Sequence, residues 1–279
     1  MNHNSLNSDP SLRFKFGKNW SNFLKTLTPE RIKEAEESLL ASLNKKDLKG
    51  LKFLDIGSGS GLFSLAARRL GAEVYSFDYD KDSVACTQYL KETYFPKDSL
   101  WSVQQGSALD LSYLKTLGIF DIVYSWGVLH HTGHMMDAFE NVSDLVKPNG
   151  FLFISIYNDQ GRVSKRWTWI KKQYNKSGCF IKFLLTTYTL FRAWSMTCLR
   201  DFLRTGNPFK TWINWKKNRG MSAYYDLIDW VGGYPFEVAT PELVFNFFKK
   251  KGFLLEDLKT CGGGIGCNEY IFKKYNPKL

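Results

Sequence analysis

One short stretch constrains this chain more than any other. In Phe53-Leu54-Asp55-Ile56-Gly57-Ser58-Gly59-Ser60-Gly61, an apolar run turns through three glycines straight into LFSLAARRL (62–70), which reads as a helix. A strand feeding a helix through such a turn lets backbone approach a ligand closely, and it leaves the first helical N–H groups free to bind one. The spacing is G-x-G-x-G. The dinucleotide fingerprint G-x-G-x-x-G would need glycine at 62, where Leu62 stands. Asp55 lies two residues before the first glycine, where a pyrophosphate binder has little use for a carboxylate. A ligand with a cationic amino-acid end does have a use for one, although Asp55 could instead brace the loop.

An alternation of elements surrounds this motif. LKFLDI (51–56), EVYSFDYD (73–80), LWSVQQG (100–106), FDIVYSW (120–126) and GFLFISIYN (150–158) read as strands. Residues 62–70, 81–94 and 135–146 read as helices between them. Short β-rich runs alternating with helices predict an α/β fold with a mostly parallel sheet covered on both faces. Ahead of the alternation, residues 1–18 read as a loose arm. Helices follow over Trp20–Leu27 and Pro29–Leu43, with Thr28 as N-cap before Pro29. The alternation stops at Asn158. It resumes at Thr240, the N-cap of a helix over 241–252, followed by strands over 253–260 and 268–274. The expected division is an arm with helices capping the site (1–50), a nucleotide-binding core (51–160), a basic aromatic helical insertion or lid (161–239), and a closing helix with a strand hairpin (240–279).

Charge separates the insertion from the rest. The chain carries a net +11, yet residues 162–219 alone hold fourteen Lys and Arg against a single acid, Asp201, so the remainder is slightly acidic. Five of the nine tryptophans (Trp167, Trp169, Trp194, Trp212, Trp215) fall in the same segment. The five cysteines are odd in number and scattered, which argues against a disulfide framework and for a reducing, cytoplasmic setting. The N-terminus has no apolar signal region, and no apolar run is long enough to span a bilayer.

In open α/β sheets ligands lie beyond the carboxyl ends of the strands. Asp78, 21 residues after Gly57, closes the second strand where a carboxylate accepts ribose hydroxyls, with Asp80 as the nearby competitor. Ser107, Ala108 and Asp110 follow the third strand, within reach of an adenine edge. The fourth strand ends in SWGVLHHTGH, which puts Trp126, His130 and His131 near a reacting centre. Tyr157, Asn158 and Asp159 end the fifth. His131 and His134 lack acids or thiols at ligand spacing, so no metal is expected. The segment 220–239, with Tyr224, Asp229, Trp230 and Tyr234 around a Gly-Gly pair, suits either a substrate wall or a packed return to the sheet. FKFGKNW (14–20) suits a cap over the site.

On these residues, Leu51 to about Tyr157 resembles the class I methyltransferases that use S-adenosylmethionine (SAM), close to the ubiquinone-biosynthesis O-methyltransferases. With RFKFGKNW and DWVGGYPFEVA, the whole chain is also similar to a group of bacterial methyltransferases. The resemblance implies a Rossmann-like sheet of seven strands, mostly parallel with a reversed last hairpin, and a helical insertion after the fifth strand. It implies that Gly57, Gly59 and Gly61 flank the methionine part of SAM, that Asp78 holds the ribose and that Ala108 and Leu109 pack on adenine. Asp55, Ser58, Tyr79 and Trp126 complete the expected cofactor set, and S-adenosylhomocysteine (SAH) would be the product.

The expected reaction is methyl transfer to a small aromatic or lipidic acceptor, at oxygen. His130 or His131 would be the base, since in-line displacement at a sulfonium carbon needs orientation and a proton acceptor. Ser125-Trp126-Gly127-Val128 lacks the Asn/Asp-Pro-Pro-Tyr/Phe signature of amino-group methylation on bases, and no cysteine has a catalytic context. An RNA methyltransferase using the basic insertion and a non-catalytic SAM-binding protein remain the alternatives. A nicotinamide-dependent oxidoreductase is disfavoured by Leu62.

Within the insertion, Phe180–Arg204 plots as an amphipathic helix. Lys182, Thr186, Thr189, Ala193, Arg200 and Arg204 lie opposite Phe180, Phe183, Leu184, Phe191, Trp194, Cys198 and Phe202. Three expectations follow: a lid packing its apolar face on the core, a patch (162–219) for an anionic membrane surface, or, less favoured, a nucleic-acid surface. Peripheral attachment to a membrane would follow from the second. Nothing in the sequence assigns an oligomeric state.

Overall fold

The computed structural model describes residues 12–219 and 223–275. Most of the expected arm (1–11), the first residues of 220–239 and the chain end (276–279) lie outside them.

Among the described residues, two helices precede the sheet, α1 (Gly17–Leu24) and α2 (Pro29–Leu43). α1 starts three residues earlier than the sequence suggests, because Gly17 docks under the start of a later helix. Its N–H donates to Asp80 Oδ2 at 3.2 Å, and a Cβ there would meet Asp82 Cβ at 2.4 Å. α2 follows the sequence reading: Thr28 accepts from Arg31 N–H and Pro29 opens the helix. The alternation then runs β1 (Lys52–Ile56), α3 (Leu62–Arg69), β2 (Glu73–Asp78), α4 (Lys81–Tyr94), β3 (Trp101–Gln105), α5 (Leu111–Leu117), β4 (Phe120–Trp126), α6 (Met135–Asp144) and β5 (Val146–Tyr157). Among its described residues the insertion contains α7 (Arg162–Lys176), α8 (Cys179–Thr205), α9 (Lys210–Arg219) and α10 (Ala223–Gly232). The chain closes with α11 (Pro241–Lys250), β6 (Phe253–Lys259) and β7 (Cys267–Lys274).

α5 is absent from the sequence reading, which took Asp110 for a ligand contact. Asp110 is instead the N-cap of α5. Its side chain accepts from the Ser112 hydroxyl at 2.5 Å and from the N–H groups of Ser112 and Tyr113 at 3.0 and 3.1 Å, which holds its carboxyl below the usual range.

The seven strands form one sheet in the order β3-β2-β1-β4-β5-β7-β6. All neighbours are parallel except β7, which runs antiparallel to both β5 and β6. The expected α/β sheet with a reversed last hairpin is therefore present. Helices cover both faces. Ile32, Leu39 and Leu43 of α2 pack with Leu65 and Ala66 of α3 on one face. Phe139 of α6 and Phe248 of α11 pack on the other. Each such fully buried side chain contributes about 1.5–3 kcal/mol. A smaller cluster of Trp167, Ile170, Tyr174, Val231 and Phe236 holds the insertion together. Because β1 to β5 are parallel, Ile56, Asp78, Gln105, Trp126 and Tyr157 end on one edge. Among the described residues, no helix is long and apolar enough to cross a membrane.

Candidate active site

A single cavity of about 1320 Å³ opens along that edge. Pockets for one small molecule usually measure about 300–1,000 Å³, so this one has room for two ligands. One end is walled by Gly57, Gly59, Asp78, Tyr79 and Ala108. The other is walled by the insertion, with Arg166, Trp167, Arg192, Trp194, Asp229 and Trp230. His131, Trp126 and Tyr157 lie between.

The glycine loop is shaped by its neighbours. Gly57 has φ +76°, and a Cβ there would meet Val128 Cγ1 at 2.4 Å. Gly59 has φ +55°, with the Trp20 ring 3.1 Å from where its Cβ would stand. Both positions need the left-handed region that glycine tolerates. The N–H groups of Gly57 and Ser58 donate to Phe77 O at 2.8 and 3.1 Å, pinning the loop to β2. Asp78 completes the link: its Oδ2 accepts from Gly59 N–H at 3.0 Å and its Oδ1 from Asp80 N–H at 2.8 Å. Burial raises its carboxyl to about 6, against the pull of these two N–H donors.

Asp55 is not on the cavity wall. It terminates a buried chain of hydroxyls. Trp101 Nε1–H donates to Ser76 Oγ at 3.0 Å, Ser76 donates to Ser64 at 2.7 Å, and Ser64 donates to Asp55. Burial raises this carboxyl to about 7. Of the two uses the sequence leaves open, the brace is the one the side chain makes. Ser58 bonds Thr87 at 2.9 Å, and Ser58, Gly61 and Leu109 likewise lie off the wall, shaping the loops from behind.

The two histidines part company. His130 is fully buried, away from the cavity, with its Nδ1 accepting from Tyr157 N–H at 3.4 Å. Burial drives its pKa well below that of a free imidazole. Its ring packs 4.1 Å from Tyr157, so it supports the wall from behind. His131 reaches the cavity. Its Nδ1 lies 2.6 Å from Pro235 O, which puts the proton on Nδ1 and leaves Nε2 as an acceptor. Burial lowers its pKa to about 3, so the ring is neutral at pH 7. His134 turns away to Asp137, 3.4 Å off. Among the described residues, no three His, Cys, Asp or Glu side chains are grouped to hold a metal ion.

Three side chains of the site escape the sequence reading. The first is on the arm, which lines the cavity with Arg13, Phe14, Lys15 and Phe16. Arg13 donates to the carbonyls of His131 and Thr132 at 2.8 and 3.2 Å and stands 4.3 Å from the Tyr79 ring centre. Asn19 donates to Asp229, whose carboxyl burial raises to about 7. Lys171 is fully buried, donates to Trp230 O and faces the Trp230 and Phe236 rings at 4.0 and 4.6 Å. Burial lowers its ammonium to about 7. A lysine on a basic helix gives no sequence signal that its head group will be buried.

The glycine loop, the carboxylate closing β2 and the sheet order are those of a class I methyltransferase. A family model described as a methyltransferase domain matches residues 28–197, more than half of the chain, and the chain belongs to that family. Among curated relatives, the ubiquinone biosynthesis O-methyltransferase of Pelagibacter ubique is 28% identical over 154 residues, covering 54% of this chain and 59% of the relative. That of Brucella ovis is 28% identical over 148 residues, covering 48% and 54%. The chain thus spans little more than half the length of the curated relatives it matches.

Magnesium protoporphyrin IX methyltransferase from Synechocystis PCC 6803, solved with bound SAH, shares the fold at TM-score 0.51 and 14% identity, over 88% of this chain and 82% of that one. A [4+2]-cyclase also matches at TM-score 0.51 and 13% identity, over 85% and 79%. The fold alone therefore fixes neither the reaction nor the acceptor; the family match carries the class.

The class uses SAM as methyl donor, and the residues present fit it. At Gly57 and Gly59 a Cβ would collide with Val128 and Trp20, so at these two positions the loop presents backbone to the cavity. A carboxylate, not a cation, closes β2, which suits ribose hydroxyls over a phosphate.

Proposed function

We propose that this chain transfers the methyl group of SAM to a hydroxyl oxygen of a small acceptor with an aromatic or lipidic body. The observation that carries this reading is the continuity of one cavity from the glycine loop to the aromatic wall of the insertion. Bound SAM supplies an electrophilic methyl on a good leaving group. Gly57, Gly59 and the loop residues behind them would seat its amino-acid end, Asp78 and Tyr79 its ribose side, and Ala108 with Leu109 behind it the adenine. Trp126 would flank the reacting centre.

The chain's own work is then orientation, exclusion of water and proton transfer. Trp230, Tyr157 and Trp167 form an edge-packed aromatic wall, with ring centres 5.3–5.6 Å apart, that suits a planar or apolar acceptor. His131 Nε2 would accept a hydrogen bond from the hydroxyl and orient its lone pair; with a pKa lowered to about 3 it is a weak acceptor of the proton itself. Asp229, on the same cavity and with a pKa raised towards neutrality, is the second proton acceptor in reach. The names of the O-methyltransferase relatives agree with oxygen as the acceptor atom.

Titration calorimetry with SAM, SAH and NAD(H) tests the donor, and transfer of label from methyl-labelled SAM to a panel of catechols with and without apolar tails tests the acceptor. Binding of SAM and SAH alone, with label in the catechols and sensitivity to His131→Ala or Asp229→Asn, is the expected result. Label entering RNA and no catechol would replace the acceptor. Tight SAM binding with no turnover on any acceptor would leave a SAM-binding protein, and binding of NAD(H) in preference would discard the donor.

A further inference from the structure

α8 walls one end of the cavity, but it does not turn its plotted aromatic face onto the core. Instead, Thr189, on the polar face of the sequence plot, is fully buried, while Phe180 and Phe191 are 72% and 74% exposed. Only Trp194 of the plotted aromatic face turns inward, where it packs 4.5 Å from Trp212 of α9. At about 100° per residue, Phe180, Leu184, Phe191 and Phe202 fall within an arc of about 40°. They form a ridge about 33 Å long, at about 1.5 Å per residue. Leu184 and Phe202 are 46% and 56% exposed, and Phe209 and Ile213 continue the open apolar surface into α9 at 58% and 65%. Scattered apolar side chains on a surface are ordinary, but an aligned aromatic ridge is the mark of a surface that meets a partner.

Charge selects the partner. The segment 162–219 holds fourteen Lys and Arg against one acid, and of the fourteen Lys171 is buried. That acid, Asp201, is engaged with the N–H and hydroxyl of Thr211 at 2.7 and 2.9 Å. A second copy of the chain would bring like charge against like charge. A bilayer with acidic headgroups offers counter-charge at its surface and an apolar interior beneath it, the combination an amphipathic helix lying in the interface requires. No described helix crosses a membrane, so attachment would be lateral. Arg192, Ala193, Trp194 and Thr197 of α8 line the cavity. A docked α8 would therefore set the acceptor end of the cavity beside the lipid.

We propose that α8 and the first half of α9 form a docking face for membranes with acidic headgroups. The docking itself stands apart from the methyl-transfer reading; only the route it offers an apolar acceptor rests on that reading. The test is co-sedimentation of the full chain with phosphatidylcholine vesicles, with and without phosphatidylglycerol. It is repeated with the Phe180→Ser/Phe191→Ser/Phe202→Ser variant, whose circular dichroism and SAH affinity report an intact fold and donor site. The expected result is salt-sensitive binding to the acidic vesicles only, reduced at least tenfold in the variant at unchanged SAH affinity. Absence of binding to acidic vesicles would overturn the proposal. So would equal binding to neutral vesicles, or a variant that sediments like the parent. A parent dimer in light scattering that the substitutions dissociate would assign the ridge to a second copy, and abolition of vesicle binding by a small excess of RNA would assign it to nucleic acid.

Discussion

Asp78 Oδ2 and the N–H of Gly59, 3.0 Å apart, tie the end of one strand to the loop that follows its neighbour. The same carboxylate that would hold the ribose thus also holds the loop that would seat the amino-acid end. Asp78→Ala removes both functions. A hydrogen bond to a charged group is worth about 1.5–3 kcal/mol, so SAH affinity should fall by more than tenfold in calorimetry. The unfolding transition should stay cooperative. Unchanged affinity would place the ribose elsewhere.

Arg13 bridges the two sides of the cavity mouth, from the Tyr79 ring to the carbonyls of His131 and Thr132. These contacts would hold the arm over a ligand bound beneath it. Arg13→Ala should therefore speed SAH dissociation by roughly tenfold, the worth of one or two hydrogen bonds at about 1 kcal/mol each, with little change in association. Stopped-flow tryptophan fluorescence reads this directly, because Trp20 borders the same cavity. Equal dissociation rates would show that the arm is no barrier.

Burial holds the Asp55 carboxyl at about 7, so the folded chain keeps a proton that the unfolded chain releases above roughly pH 4. The cost to stability grows as pH rises from 4 to 7 and is complete above 7. Asparagine at 55 can still accept from Ser64 and carries no such cost. The melting temperature of Asp55→Asn, relative to the parent, should therefore rise from pH 5 to pH 8. A difference independent of pH would mean that Asp55 is ionised in the fold.

Lys171 has the opposite sign. Its ammonium is lowered to about 7 by burial, so the unfolded chain binds a proton that the folded chain sheds between about pH 7 and 10. Stability is lost as pH falls through that window. Lys171→Met abandons the bond to Trp230 O at every pH but escapes the titration. Its denaturation midpoint relative to the parent should be more favourable at pH 6.5 than at pH 9.5. A gap of the same size at both would show that Lys171 keeps its charge when buried.

Much of the fold was legible because period and punctuation agree along the core. Thr28-Pro29 and Thr240-Pro241 mark helix starts, and the glycine loop fixes where the first strand ends. α5 went unread although Asp110 caps it and Leu111, Leu114 and Leu117 recur at helical spacing, because its seven residues make only about two turns. That Gly57, Gly59 and Asp78 would meet at one end of a cavity was also legible, because strand ends dictate their positions. The acceptor side was not. Lys171, Asn19 and Arg13 act through partners far away in sequence, at Trp230, Asp229 and His131. The ambiguity between His130 and His131 had the same cause: adjacent residues in a tight turn point oppositely, and only packing decides which meets the cavity. For α8, amphipathicity identified two faces but could not say which faces inward.

The excursion that builds the acceptor wall leaves the sheet after Tyr157 and returns at Ala239, and these two residues are bonded to each other, Ala239 N–H to Tyr157 O at 2.9 Å. Asp159 N–H donates back to Ala239 O at 3.1 Å beside it. Departure and return therefore share one doorway, and the donor strands on the far side of the sheet take no part in it. Such a plan allows descent with exchange: over generations, one cassette of helices can be lengthened, recharged or replaced through that doorway while the donor half stays untouched. A lineage built this way can change what it methylates, and on which surface it works, without reinventing how it holds the methyl group.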